Sequence, residues 1–268
     1  MPAIAQPQPS AMCAESNGTM RIPILTTLSL NLAQLGWLDC CCYCVDRLLR
    51  PLGWRFHKYH FVAQPIAAAP RSRGRGASVV VRLGTQARDV PPEHPRPRHV
   101  IAQRFAQGAH TLQAWRRNDA SDDELVGFLW FLPHAYQEDE VRVRYRLASA
   151  RSVWDFDVYV DPGHRLGPTF LRLWDEANAL LRARGVDWTC SRISAYNPGS
   201  RAVHGRFGTV TLGSAVFLCC GRWQWMLANR APYLHLSRGP AAFPTMLFDT
   251  SSLAGSAALE PSCPVSTK

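Results

Sequence analysis

Lysine is nearly missing from this chain. Of the 30 basic residues in 268, only Lys58 and Lys268 are lysines, so the formal net charge of +10 is carried by arginine. Guanidinium groups suit polyanions, whether nucleic acid, anionic lipid or the phosphates of a cofactor, and charge alone does not choose among these. The arginines are scattered except around Arg71, Arg73 and Arg75, which leaves most of the excess to a solvated surface. A recognisable nucleic-acid motif and an aromatic-basic platform are both missing. A basic nucleic-acid-binding protein therefore stands as a third alternative, and no specific nucleic acid is expected as a partner.

Metal-ligand spacing is missing as well. No C-x-x-C pair is matched by a second pair or by His-x3-His, so the nine cysteines predict no metal site. Four of them crowd into Cys40, Cys41, Cys42 and Cys44, where geometry disfavours disulfides between neighbours. The plain reading is reduced thiols in an intracellular, cytoplasmic protein; the sharper ones are palmitoylation and metal binding. His57 and His60, three apart on a strand, do not share a face and read as structural.

A clean membrane span is absent too. Ile22 to Val45 is apolar, but Asn31, Gln34 and Asp39 interrupt it, whereas a spanning helix needs about 20 residues with few polar breaks. No small-residue cleavage site follows Leu25 to Leu35, so a signal peptide fits poorly. The segment reads as an amphipathic helix packed on the domain or lying on a membrane surface, which keeps peripheral membrane contact through 22–50 open.

What is present divides the chain into four parts. Residues 1–20, rich in Pro, Ala, Gln and Ser, are expected to be disordered. Residues 21–76 hold the helix, a strand over Tyr59 to Ile66 and a flexible basic linker, "AAAPRSRGRGA", at which the main domain boundary is expected. Residues 77–236 alternate between strands and helices: "SVVVRL", a helix near Val100 to Gln107, "HTLQAW", "ELVGFLWF", "SVWDFDVYV", a helix from about Pro168 to Arg184, "DWTCSRISA", a short helix over Pro198 to Phe207, and "TVTLGSAVFL". Residues 237–268 are expected to be a largely disordered tail. This order predicts an α/β or α+β fold, a mixed sheet covered by helices with an extra N-terminal helical segment.

Two stretches carry chemistry. "VYVDPGHRLGPTFLRLW" places a strand, a tight turn, an arginine, a glycine and a helix start in succession. Free backbone N–H groups and the positive helix end suit an anion, Gly167 allows close approach, and Pro168 suits the first helical position. "SAYNPGSRAVHGRFG" puts Asn197 at an N-cap with Pro198 behind it, and Asn197, Ser200 and His204 along one helix face. Asp155 and Asp157, spaced two apart on a strand, are expected to share a face. Glu138, Asp139 and Glu140 read as a solvated edge, and Cys190 as a strand residue facing the core.

Taken together, these stretches resemble the GNAT family of acyl-CoA-dependent N-acetyltransferases. The likeness covers roughly Ser78 to Leu218 and rests on "VDPGHR" before a helix and on N-x-x-S-x-x-x-H-x-x-x-G, from Asn197 to Gly208, in place of the family's N-x-x-A-x-x-x-Y-x-x-x-G. The resemblance implies a central sheet with one strand splayed from its neighbour, and acetyl-CoA or another acyl-CoA as acyl donor. Val158, Tyr159 and Val160 would line the splayed strand. Arg165, Leu166, Gly167, Thr169 and Phe170 would cradle the pyrophosphate, with the loop glycine one place earlier than usual. Asn197 and Ser200 would lie beside the pantetheine. His204 would replace the tyrosine that protonates the departing thiolate, and Asp157, or else Asp155, would act as base; the other reading of either aspartate is an ion pair with a neighbouring arginine. The implied reaction transfers the acyl group by direct attack of a primary amine, of a small molecule or a protein. The alternative is a GNAT-shaped CoA-binding or sensor module without chemistry. Nothing in the residues fixes the oligomeric state.

Overall fold

The computed structural model describes residues 34–118, 123–239 and 241–253. The expected disorder of 1–20 lies outside them. The described chain forms α1 (Trp37–Leu49), β1 (Trp54–Pro65), β2 (Val79–Gly84), α2 (Arg98–Ala106), β3 (His110–Arg116), β4 (Glu124–Pro133), β5 (Ala135–Gln137), β6 (Arg144–Leu147) and β7 (Ser152–Val160). It continues through α3 (Thr169–Ala183), β8 (Trp188–Ser194), α4 (Pro198–Arg206), β9 (Val210–Cys220), β10 (Trp223–Ala228), β11 (Leu234–Arg238) and β12 (Thr245–Phe248).

Nine strands build one mixed sheet in the order β11, β10, β9, β1, β8, β7, β4, β3, β2. Neighbours are antiparallel except β7 and β8, which run parallel and are joined by the α3 crossover such a pair requires. Helix α3 follows from its sequence: Leu173, Trp174, Ala177 and Leu181 recur at helical spacing and are buried against the sheet. Gly185, at φ 74°, ends it. Its N–H bonds Arg182 O and that of Val186 bonds Leu181 O, a closure a residue with a side chain would strain.

The sheet separates two cores. Its front face packs against α2 and a small sheet ordered β12, β6, β5, around Phe61, Trp130, Tyr145, Trp154 and Phe248. Its back face packs against α3 and α4, around Leu129, Phe131, Leu173, Trp174 and Phe207. The architecture is thus α+β, a large mixed sheet flanked by helices.

Three boundaries differ from expectation. The division at residue 76 does not separate the sheet, because β1 lies in its middle, with Tyr59 opposite Ser194 of β8 on one side and Ala215 of β9 on the other. The "AAAPRSRGRGA" segment is no free linker: the N–H groups of Arg71 and Ser72 both donate to Asp175 of α3, at 2.7 and 2.9 Å, and Ser72 is buried. In the expected tail, β12 pairs with β6 and buries Met246 and Phe248 completely, so 244–253 belongs to the core, while 254–268 lies outside the described residues.

Phe248→Ala is expected to lower stability by about 3–5 kcal/mol in urea unfolding, the cost of a buried aromatic truncation. A true tail residue would leave the midpoint unchanged.

Candidate functional site

The register between β7 and β8 locates the site. Ser152, Val153 and Trp154 pair with Trp188, Thr189 and Cys190, and there the pairing stops although both strands continue. From Asp155 onward β7 bonds only β4, so a gap opens between the two parallel strands toward the α3 N-terminus. Opposite this gap the β4–β7 ladder slips between Phe128 and Trp130, and Asp157 takes φ 49°. That bulge places two β7 residues against one of β4 and breaks the alternation.

The consequence corrects the expectation for the two aspartates, which do not share a face. Val153 packs in the back core and Trp154 in the front core, which puts Asp155 on the back. Asp157 is turned to the front. There Arg96 donates to both its oxygens, at 2.8 and 2.5 Å, and Arg104 adds a third bond at 2.5 Å. Burial alone would push the Asp157 carboxyl up; the two guanidiniums outweigh it and hold it down at about 2. Asp155 is 2% exposed and burial pushes it up to about 7, with the hydroxyls of Thr189 and Ser191 drawing it partly back. Neither hydroxyl forms a full hydrogen bond, and Asp155 Oδ1 also lacks a partner.

The acidic stretch is another correction. Glu138, read as a solvated edge, is 6% exposed and receives two 3.0 Å bonds from Arg192 of β8. Arg192 also donates to Glu140 at 2.6 Å, while Asp139 takes Arg104 at 2.9 Å. Tyr59 donates to Glu140 at 2.7 Å beneath the Arg192 guanidinium. The charge of Arg192 holds the Glu140 carboxyl down at about 2 despite burial. The β5–β6 turn thus walls the front of the gap with ion pairs. Sequence reasoning passed over Arg96, Arg104, Arg192 and Tyr59. The available signal was one arginine inside the otherwise uncharged strand "WTCSRIS".

At the open end of the gap, Pro168 is the N-cap of α3 rather than its first residue. The N–H groups of Thr169, Phe170 and Leu171 have no acceptor within the helix, as at any helix start. Arg165 bonds back to Val160 O at 3.1 Å, Gly167 N–H bonds His164 O, and Leu166 projects fully into solvent. Gly76, at φ 85°, lies against Pro168 and Arg172, where a Cβ would come within 2.8 Å of the Pro168 side chain. Val158 and Val160 pack toward the back core, and Tyr159 stacks on Phe128 at the front.

Helix α4 starts as its sequence implies: Asn197 Oδ1 accepts from Ser200 N–H at 3.0 Å, with Pro198 at the first position. His204 is 9% exposed, edge-on to Trp174, and its Nδ1 has no partner. Burial pushes it down to about 4, so it is a neutral imidazole near pH 7. Cys190 faces the front core, where burial pushes its thiol up to about 12. His57 and His60 point to opposite faces, toward Tyr59 and Asp39 respectively. Among the described residues, no group of three or more His, Cys, Asp or Glu is placed to hold a metal ion.

No family model matches the chain, and no curated protein matches it. Among solved structures it is similar to a functionally unknown conserved protein from Staphylococcus epidermidis, at 11% identity and TM-score 0.41, over 64% of each chain. It is similar to a tandem GNAT protein from the clavulanic acid biosynthesis pathway at 14% identity and TM-score 0.40, covering 65% of this chain and 57% of the other. It is also similar to a GCN5-related N-acetyltransferase from Sphaerobacter thermophilus at 15% identity and TM-score 0.41, over 64% and 54%. The chain spans less than two thirds of each of the three.

Asp155 gives the site a measurable pH dependence. Its carboxyl sits above the unfolded value of 3.8, so the folded state holds the extra proton and stability falls as pH rises from there toward about 7. Asp157 acts with the opposite sign, its contribution being lost only as pH falls toward about 2. Because the buried His94 and His204, both pushed down to about 4, act alike in the two proteins, urea unfolding is read as a difference: relative to Asp155→Asn, the native protein is expected to lose about 2–4 kcal/mol between about pH 5 and about pH 8. Equal pH slopes in the two proteins would show that Asp155 does not carry this dependence.

Proposed function

We propose that the protein binds acyl-CoA in the gap between β7 and β8 and transfers the acyl group to a primary amine. One observation carries this reading: the parallel strands pair at three positions, then part, with the free amides of the α3 N-terminus at the open end. This matches what the sequence resemblance implies for a pantetheine channel ending at a pyrophosphate site. The fit is supported by the unpartnered buried groups on the two strands, Asp155 Oδ1, Thr189 Oγ1 and Ser191 Oγ, by the unpartnered His204 Nδ1 on α4, and by the β7 edge that β8 leaves unpaired.

Acyl-CoA would supply an activated thioester carbonyl. Transfer forms a C–N bond and breaks the C–S bond; the amine proton leaves to a base, and sulfur takes a proton. In this reading Val158, Tyr159 and Val160 line the channel, Arg165 to Phe170 hold the pyrophosphate, and Asn197 and Ser200 flank the pantetheine. Neutral His204 offers sulfur an N–H rather than an imidazolium proton. Asp157 is a poor base, because two arginines already occupy its oxygens. Asp155, at about 7, has the proton affinity the task needs, on the back side of the gap.

The locked Asp157 and the walled front favour a second reading, a CoA-binding module without turnover. Calorimetric titration separates these from a mere structural gap. Acetyl-CoA, octanoyl-CoA and free CoA are expected to bind with micromolar Kd while ATP does not; no binding of any CoA at millimolar concentration would remove both readings. Thiol release with a panel of amines then divides them: an enzyme loses turnover in His204→Ala more than it loses affinity, and a sensor has no turnover to lose.

A further inference from the structure

Helix α1 is inside out. Its two acids face the sheet: Asp39 is 5% exposed and paired with Lys58 at 2.6 Å and Arg201 at 2.8 Å, while Asp46, 2% exposed, holds Arg50 and the Phe56 N–H. Cys40 is buried beside them, but the main apolar stripe faces away. Trp37, Cys41, Val45 and Leu48, with Leu52 just beyond the helix, fall within a sector of about 100° at 3.6 residues per turn. All five are exposed, Leu48 to 75% and Leu52 to 69%. An amphipathic helix in water ordinarily turns this stripe inward.

The sheet beside α1 continues the same surface. Residues directly opposite in a ladder project to one face. Lys58, which meets α1, lies opposite Val216, which lies opposite Leu227, which lies opposite Leu234. A second row runs Phe56, Leu218, Trp225, Leu236. The outer members of both rows are exposed, Leu234 to 71% and Leu227 to 58%. The apolar surface therefore spans two separate elements, larger than a scattered exposed leucine would account for.

Charge selects the occupant. From Trp188 to Phe248 the chain has no aspartate or glutamate, and both acids of α1 are turned inward. Around the surface stand Arg47, Arg222 and Arg238, all exposed and, among the described residues, without a carboxylate partner. A second copy docked here would bring these cations against one another, whereas an anionic lipid surface neutralises them. Among the described residues no helix is long and apolar enough to cross a bilayer, so the contact lies along the interface.

We propose that the face formed by α1 and the β9–β11 strands docks on anionic membrane lipid. The test is co-sedimentation of the full chain with sucrose-loaded vesicles of phosphatidylcholine, with and without about one third phosphatidylglycerol. Binding is expected to the anionic vesicles, weakening as salt rises. Two double variants, Leu48→Glu with Leu52→Glu and Leu227→Glu with Leu234→Glu, are each expected to weaken it by about tenfold or more while leaving the urea midpoint unchanged, since these side chains are exposed. No sedimentation with either vesicle overturns the proposal, as does binding that survives both variants. A dimer in lipid-free buffer that the same variants dissociate would also overturn it and assign the face to a second copy.

Discussion

Three guanidiniums are taken out of bulk water at the front of the sheet, and the surrounding structure follows from where their charges are met. Arg104 is stacked against Trp130 and Phe156, Arg192 lies over Tyr59, and Arg96 lies over Phe128. A cation in such a setting needs both a carboxylate and hydrogen bonds, and leaving one unpaired costs about 3–5 kcal/mol. The Asp157 bulge and the Glu138–Glu140 turn supply them. The turn is consequently fixed on the strands it covers, and Asp157, Glu138, Asp139 and Glu140 are structural counter-ions first. Asp155 stands apart from this network, since none of these arginines reaches it.

The second constraint is topological. β1 precedes all the other strands in the chain yet occupies a central slot, between two strands that are formed from residue 188 onward. Its middle residues, Phe61 to Gln64, are buried on both faces, as a central strand demands. Such long-range pairing raises the entropy cost of assembling the sheet and places this protein among slower folding topologies. It also ties α1 to the body, through Lys58 and His60 on β1.

Local signals in the sequence were faithful where local physics decides the outcome. The α3 stripe and its Gly185 stop, the Asn197 cap with Pro198, and the strands from Val79 to Phe217 all depend on neighbours within a few residues. Three features depend on partners far along the chain and were not legible. A bulge at Asp157 is specified by its register with β4, and nothing in "WDFDVYV" marks it. The burial of "QEDE" depends on Arg192, more than fifty residues later. The basic, glycine-containing strap has the composition of a linker, and the groups that hold it, Asp175 and Arg182 of α3 among them, lie more than a hundred residues later. The residues around the gap were readable as a motif, but their protonation states were not, being set by burial at Asp155 and by two distant arginines at Asp157.

That strap has a mechanical meaning. Its exposed turn at Arg73 and Gly74 follows a β1 strand hydrogen-bonded on both edges and precedes β2 at the far edge of the same sheet. Asp175 grips the chain on the β1 side of that turn, and Gly76 is wedged against Pro168 on the other. The turn is therefore the slack point of a segment fastened at both ends, and tension along the chain there is taken up by α3 before it reaches β1.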